Sequence, residues 1–168
     1  RWRMVVHPFE PVYNSYSKIL ILGTFPSVKS REENFYYGHP QNRFWKVLSG
    51  LVGHCLPQGI KEKKAFLVLE KIALWDVLES CEIDASKDSS IRNPVANDLS
   101  IVLTNSNIEA IFTNGKKAEE LYRRLCYPRT LIESYVLPST SSANGHYTLE
   151  RLIKEWSIIL KHLGHQAV

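Results

Sequence analysis

Twelve consecutive positions, Asn34-Phe35-Tyr36-Tyr37-Gly38-His39-Pro40-Gln41-Asn42-Arg43-Phe44-Trp45, hold five aromatic side chains, three amides, a histidine and an arginine. Aromatic faces stack on planar heterocycles and amides hydrogen-bond their edges. Tyr36, Tyr37, His39 and Asn42 are therefore candidates to meet a flat, nitrogen-rich ligand. Asn42 also stands immediately before a run with helical spacing, where it would serve as an N-cap. Phe44 and Trp45 fall inside that run and read as core.

Three other loops could share a site with this segment. Gly23-Thr24-Phe25-Pro26-Ser27 follows an apolar run, and its turn can present backbone groups and one aromatic face. Thr113-Asn114-Gly115, followed by Lys116, reads either as a strand-to-helix turn with Asn114 as cap or as a ligand amide. In Leu137-Pro138-Ser139-Thr140-Ser141-Ser142-Ala143-Asn144-Gly145-His146, small hydroxyl residues around a proline could hold a phosphate.

The elements that must position these loops are legible from apolar patterning. Ile19–Leu22, Ile72–Trp75, Ile108–Phe112 and Ser134–Leu137 are short and largely apolar, as expected of strands covered on both faces. Helical spacing marks the run after Asn42 through Val52, Lys116–Leu125, and an apolar stripe from Leu149 to Leu163. Alternation of the two predicts a three-layer α/β/α domain around a central, mostly parallel four-stranded sheet. In such sheets ligands bind beyond the carboxyl ends of the strands. The unusual loops follow those ends.

The chain has 168 residues, 44% hydrophobic and 23% charged, with a net charge of +4. That excludes disordered and collagen-like classes and fits one domain over residues 1–168. The mild positive charge permits an anionic partner without requiring one. Cys55, Cys81 and Cys126 have no paired spacing and read as free thiols of a cytoplasmic protein. No apolar run approaches the ~18 residues of a membrane span and no signal-peptide pattern opens the chain. Arg1-Trp2-Arg3 precede Met4 and are expected to lie before the natural start. His7, His54, His146, His162 and His165 share no ligand spacing, so no metal is expected.

Taken together, Gly23-Thr24-Phe25-Pro26-Ser27, His39-Pro40-Gln41-Asn42-Arg43-Phe44-Trp45, Asn114-Gly115-Lys116 and Leu137-Pro138-Ser139-Thr140-Ser141 resemble the uracil-DNA glycosylase superfamily. The resemblance runs from His7-Pro8-Phe9 to the closing helix. It is strongest to the hypoxanthine-DNA (deoxyinosine) branch, and extends to the mismatch-specific uracil/thymine glycosylases.

The resemblance implies a cofactor-free, monofunctional DNA glycosylase. Its partner would be double-stranded DNA carrying a deaminated base, with single-stranded DNA as a second candidate, and it would act as a monomer. It implies Asn42 as the catalytic group that positions water. Gly23, Thr24, Phe25, Tyr36, Tyr37, His39 and Asn114 would meet the flipped base. Ser27, Ser139, Thr140, Ser141 and Lys116 would hold the DNA strand, helped by the nearby charges of Lys29, Arg31 and Arg43. The superfamily usually places an acidic residue or an asparagine in the first loop; here Thr24-Phe25-Pro26-Ser27 has neither. Asp76, at the end of the second strand, is the rival catalytic group, since a carboxylate can act as a base where an amide cannot; a structural role at the strand end is the other reading. A uracil/thymine mismatch enzyme and a catalytically silent nucleotide-binding module are the alternatives.

Overall fold

The computed structural model describes residues 1–84 and 87–164, with the backbone alone for residues 87–89. Four strands form the central sheet: β2 (Ile19–Gly23), β3 (Ile72–Asp76), β6 (Ala110–Asn114) and β7 (Ser134–Leu137), in the order β3-β2-β6-β7. Every neighbouring pair is parallel, with Gly23 beside Asp76 and Asn114 beside Leu137 at the carboxyl edge. The apolar runs are continuous because these strands are covered on both faces: Ile19–Leu22, Ile72–Leu74 and Ala110–Phe112 are all buried. The expected three-layer architecture is the one observed.

Helices α1 (Val28–Glu33), α2 (Phe44–Val52) and α3 (Gly59–Leu69) lie between β2 and β3. Short α4 (Ser100–Leu103) precedes β6, and α5 (Lys116–Leu121) follows it. The stretch read as one helix to Leu125 changes to a π-helical turn at Tyr122–Cys126, then α6 (Tyr127–Thr130). The last stripe divides at Ser157 into α7 (Leu149–Trp156) and α8 (Ile158–His162). Trp156 is wholly buried and donates its indole N–H to Pro138 O at 2.9 Å, tying α7 to the loop after β7.

A second sheet was not expected. β1 (Trp2–Val6), β4 (Leu78–Asp84) and β5 (Lys87–Ala96) form an antiparallel sheet in the order β1-β4-β5. Trp2 and Arg3 pair with Asp84 and Ile83, so two of the three residues expected to precede the natural start are part of a strand. Only Val77 separates β3 from β4, so the two sheets meet at the carboxyl end of β3. Cys55 is exposed, and Cys81 and Cys126 are buried. No described helix is long and apolar enough to cross a membrane.

Candidate active site

The loops after β2, β6 and β7 and the 34–45 segment surround a cavity of about 300 Å³, at the small end of the usual range for ligand pockets. Gly23, Thr24, Phe25, Ser27, Tyr36, Tyr37, His39, Asn42, Asn114, Ser139, Thr140 and Ser141 all line it. Of the residues singled out from sequence, the cations Lys29, Arg31, Arg43 and Lys116 do not line it. Lys116 borders the adjoining groove with Ser139, Ser141 and Tyr147.

The two asparagines are joined through Thr140. Asn114 Nδ2 donates to Thr140 Oγ1 (3.0 Å), Thr140 N–H donates to Asn114 Oδ1 (3.0 Å), and Thr140 Oγ1 donates to Asn42 Oδ1 (2.8 Å). Asn42 Oδ1 also accepts the Phe44 N–H at 2.9 Å, an Asx turn leading into α2; the N-cap itself is Arg43 and not, as the sequence suggested, Asn42. Both usual lone-pair directions of that carbonyl are occupied, which leaves the Asn42 amide N–H pair as the group available at the cavity wall. Thr140 is 0% exposed, so it serves as the link between the asparagines and not as a surface contact to a strand.

Other candidates are likewise committed locally. Ser27 Oγ caps α1 by accepting Ser30 N–H and donates to Ser30 Oγ, both at 3.2 Å. The buried Tyr36 ring packs edge-on against Phe9 and Phe35, and its hydroxyl donates to Glu10 O at 2.8 Å. Burial, then the nearby charge of Asp76, raises the Tyr36 pKa well above its ordinary value. Phe25 is half-buried at the rim, with the Arg31 guanidinium 5.9 Å from its ring centre. His39 is exposed and its Nδ1 accepts Gln41 N–H at 3.1 Å; in the neutral ring this puts the proton on Nε2.

The expected phosphate-binding cations divide. Arg43 donates to the carbonyls of Thr140, Ser141, Asn144 and Tyr147, so its guanidinium holds the 140–147 loop and is not free for DNA. Lys29 pairs with Glu33 at 3.7 Å. Arg31 donates to Pro26 O at 2.8 Å. Lys116 is exposed.

Sequence reasoning missed His7. It reaches from the loop after β1 to Asp76, with Nε2 2.8 Å from Oδ2, and both side chains are nearly buried (3% and 5% exposed). Phe9 N–H donates to His7 Nδ1 at 3.4 Å, so Nε2 carries the proton given to Asp76. Asp76 lines the cavity, and Asn97 Nδ2 donates to its backbone carbonyl at 2.9 Å. A lone histidine twelve residues before the first predicted strand carries no spacing signal; its partner is 69 residues away. Among the described residues, no cluster of three histidine, cysteine or acidic side chains could hold a metal; His165 lies outside them.

A cavity lined by aromatic, amide and hydroxyl side chains at the carboxyl edge of a parallel sheet suits a planar, nitrogen-rich ligand, and similarity to known proteins makes the chain a DNA glycosylase, a hydrolase of N-glycosyl bonds. The chain belongs to the uracil DNA glycosylase superfamily, whose family model matches residues 10–160. It is 35% identical over 164 residues to a Methanosarcina acetivorans protein named hypoxanthine DNA glycosylase, covering 95% of this chain and 100% of that one. A Methanosarcina barkeri protein of the same name is 34% identical over 142 residues, 81% of this chain and 86% of the relative. The solution NMR structure of a Methanosarcina acetivorans protein described as a candidate uracil DNA glycosylase superposes with a TM-score of 0.82 at 32% identity, covering 97% of this chain and 100% of that one.

Proposed function

We propose that the protein removes hypoxanthine from double-stranded DNA, using a water positioned by Asn42 and leaving an abasic site, as a monomer and without a cofactor. The observation that carries this is the immobilised Asn42 amide at the wall of a cavity shared with Phe25, Tyr37 and Asn114. The name borne by relatives that span most of the chain supports the choice of base.

The duplex first yields the base by flipping, which costs a few kcal/mol and least for a poorly paired deaminated base. The glycosidic bond then breaks ahead of attack, its electron pair leaving with the base and an oxocarbenium-like sugar remaining. An amide suffices here because that cation needs a correctly placed water more than a strong base. Asn42 Nδ2–H holds the water; rotation of the Thr140 hydroxyl would release a lone pair of Asn42 Oδ1 to accept a hydrogen bond from it. Addition of the water to the sugar cation forms the new C–O bond, and the proton it sheds neutralises the departed base. Phe25 and the Asn114 amide steady the departing base by stacking and hydrogen bonding.

The test is base release from duplexes carrying hypoxanthine, uracil, xanthine or mismatched thymine, read as alkali-labile abasic sites. Asn42→Ala is expected to lower hypoxanthine release by ~10²–10³, the usual effect of deleting one preorganised polar group. Unchanged release would leave Asn42 with a structural role only, in the turn before α2. Uracil release far ahead of hypoxanthine release would replace the proposed substrate. Asp76→Asn, run in parallel, tests the carboxylate as the activating base.

A further inference from the structure

The Tyr37 hydroxyl is the one buried side-chain polar atom among the described residues without a hydrogen-bond partner. Buried hydroxyls are nearly always satisfied, so an orphan at a cavity wall marks a place where a ligand completes the bonding. It cannot swing elsewhere. Its ring lies flat on Phe44, with centroids 4.1 Å apart and 20° between planes, and its backbone is left-handed with φ of +54°. Left-handed backbone in a residue with a bulky side chain is costly and is kept where the surroundings enforce it; Gly38 N–H bonded to Ser30 Oγ at 3.0 Å is part of that enforcement. Burial, with the Asp76 charge beside it, pushes the phenol pKa far up, the Asn114 amide opposing only weakly. The group therefore stays a hydroxyl.

Asp76 supplies the second half. Its Oδ2 is held by His7 Nε2–H, and among the described residues Oδ1 has no hydrogen-bond partner. The two free oxygens converge on Gly23: a Cβ there would meet Asp76 Oδ1 at 2.4 Å and the Tyr37 hydroxyl at 2.6 Å. Only a residue without a side chain leaves both oxygens open to the cavity at that point.

We propose that Tyr37 and Asp76 form a recess that reads the paired N–H and C=O edge of a deaminated base, with Asp76 Oδ1 accepting the ring N–H and the Tyr37 hydroxyl donating to the exocyclic oxygen. His7 is the positioning residue that turns Asp76 toward the cavity. Hypoxanthine, xanthine and uracil all present this edge. Adenine and cytosine present the reverse, a ring-nitrogen acceptor beside an amino group, and would set a lone pair against Asp76. Guanine shares the edge of hypoxanthine, so this recess separates deaminated bases from adenine and cytosine and leaves guanine to be excluded by its own stable pairing. The assignment rests on the proposed excision of a flipped base and names what that cavity selects.

Tyr37→Phe deletes the hydroxyl alone. Release of hypoxanthine is compared with release of unsubstituted purine, which lacks both the N1 proton and O6, under single-turnover conditions. The ratio of the two rates is expected to fall about tenfold in the variant, as for loss of one hydrogen bond. The melting temperature should change little, because the hydroxyl makes no well-formed hydrogen bond within the protein and has only the weak approach of the Asn114 side chain to lose. An unchanged ratio, or a uniform loss on both bases with a lower melting temperature, would overturn the recess. Wild-type protein that releases uracil or xanthine but no hypoxanthine would overturn the proposed substrate instead, and the same ratio against purine, measured with those bases, would then decide the recess. Binding decides it independently of turnover: free hypoxanthine should raise the melting temperature of the wild type more than that of Tyr37→Phe, whereas equal protection counts against it.

Discussion

Thr140 has no exposed surface, and its one hydroxyl both accepts from Asn114 and donates to Asn42. Because Phe44 N–H and Thr140 N–H can only donate, Asn42 and Asn114 must each turn a carbonyl oxygen toward them, and the hydroxyl direction follows. Thr140→Val keeps the shape and leaves Asn114 Nδ2 without that acceptor and Asn42 Oδ1 without that donor. It is expected to cost about 1–3 kcal/mol in urea unfolding and to lower base release, with Thr140→Ser restoring much of both. At this scale the sequence was legible in part. Asn42 and Asn114 stand out because their neighbours are unusual, but a hydroxyl-rich loop looks the same whether it faces solvent or is folded inward. Thr140 therefore read as a strand contact. Asp76 was visible as a strand end, while His7, which gives it direction, had no local signal.

The loop from Pro138 to Tyr147 contains no regular element, and its order comes from side chains reaching into it. Arg43 satisfies four of its carbonyls, and Asn144 Nδ2 adds a bond to Ser139 O at 3.0 Å. Arg43→Lys keeps the charge but loses the planar fork, so the loop should become more accessible to limited proteolysis and hydrogen exchange, and Thr140 should lose its fixed place. A second restraint is Gly115, whose φ of +100° favours glycine and whose Cβ would approach that of Ser139 to 3.2 Å. Gly115→Ala is expected to cost about 1–2 kcal/mol in thermal or urea unfolding. The elements carrying these loops were largely readable, because strands buried on both faces produce unbroken apolar runs. The β1-β4-β5 sheet was not. Trp2 to Val6 is mostly exposed, β5 includes Pro94 and several polar residues, and such half-solvated strands resemble loops. The division of the last helix at Ser157 was hidden as well, since the apolar stripe continues across it.

For the whole molecule, two charge-dependent properties follow from where its groups lie. Tyr36, Tyr37 and Tyr122 all have pKa values raised first of all by burial. In the unfolded chain they ionise from about pH 10 upward, while the folded protein keeps them protonated, so the unfolded state binds fewer protons there and stability falls as pH rises. Below that range they contribute no pH dependence. Tyr37→Phe removes one such group and should flatten the alkaline slope by up to ~1.4 kcal/mol per pH unit. The second property is salt dependence. A net charge of +4 is too small to draw DNA by the overall field alone, and Arg43 and Lys29 already have partners in the fold. Electrostatic affinity must then come from a few placed cations, among them exposed Lys116 on the groove beside the cavity. Its neutralisation in Lys116→Gln should reduce the slope of log affinity against log salt by ~0.9, the value for one phosphate contact on a duplex. Because a phosphate is the same beside any base, affinity for intact and hypoxanthine-containing duplexes should fall by the same factor. Fluorescence anisotropy over a salt series measures both quantities. A loss confined to the damaged duplex would place Lys116 in base recognition, and an unchanged slope would remove it from the DNA path.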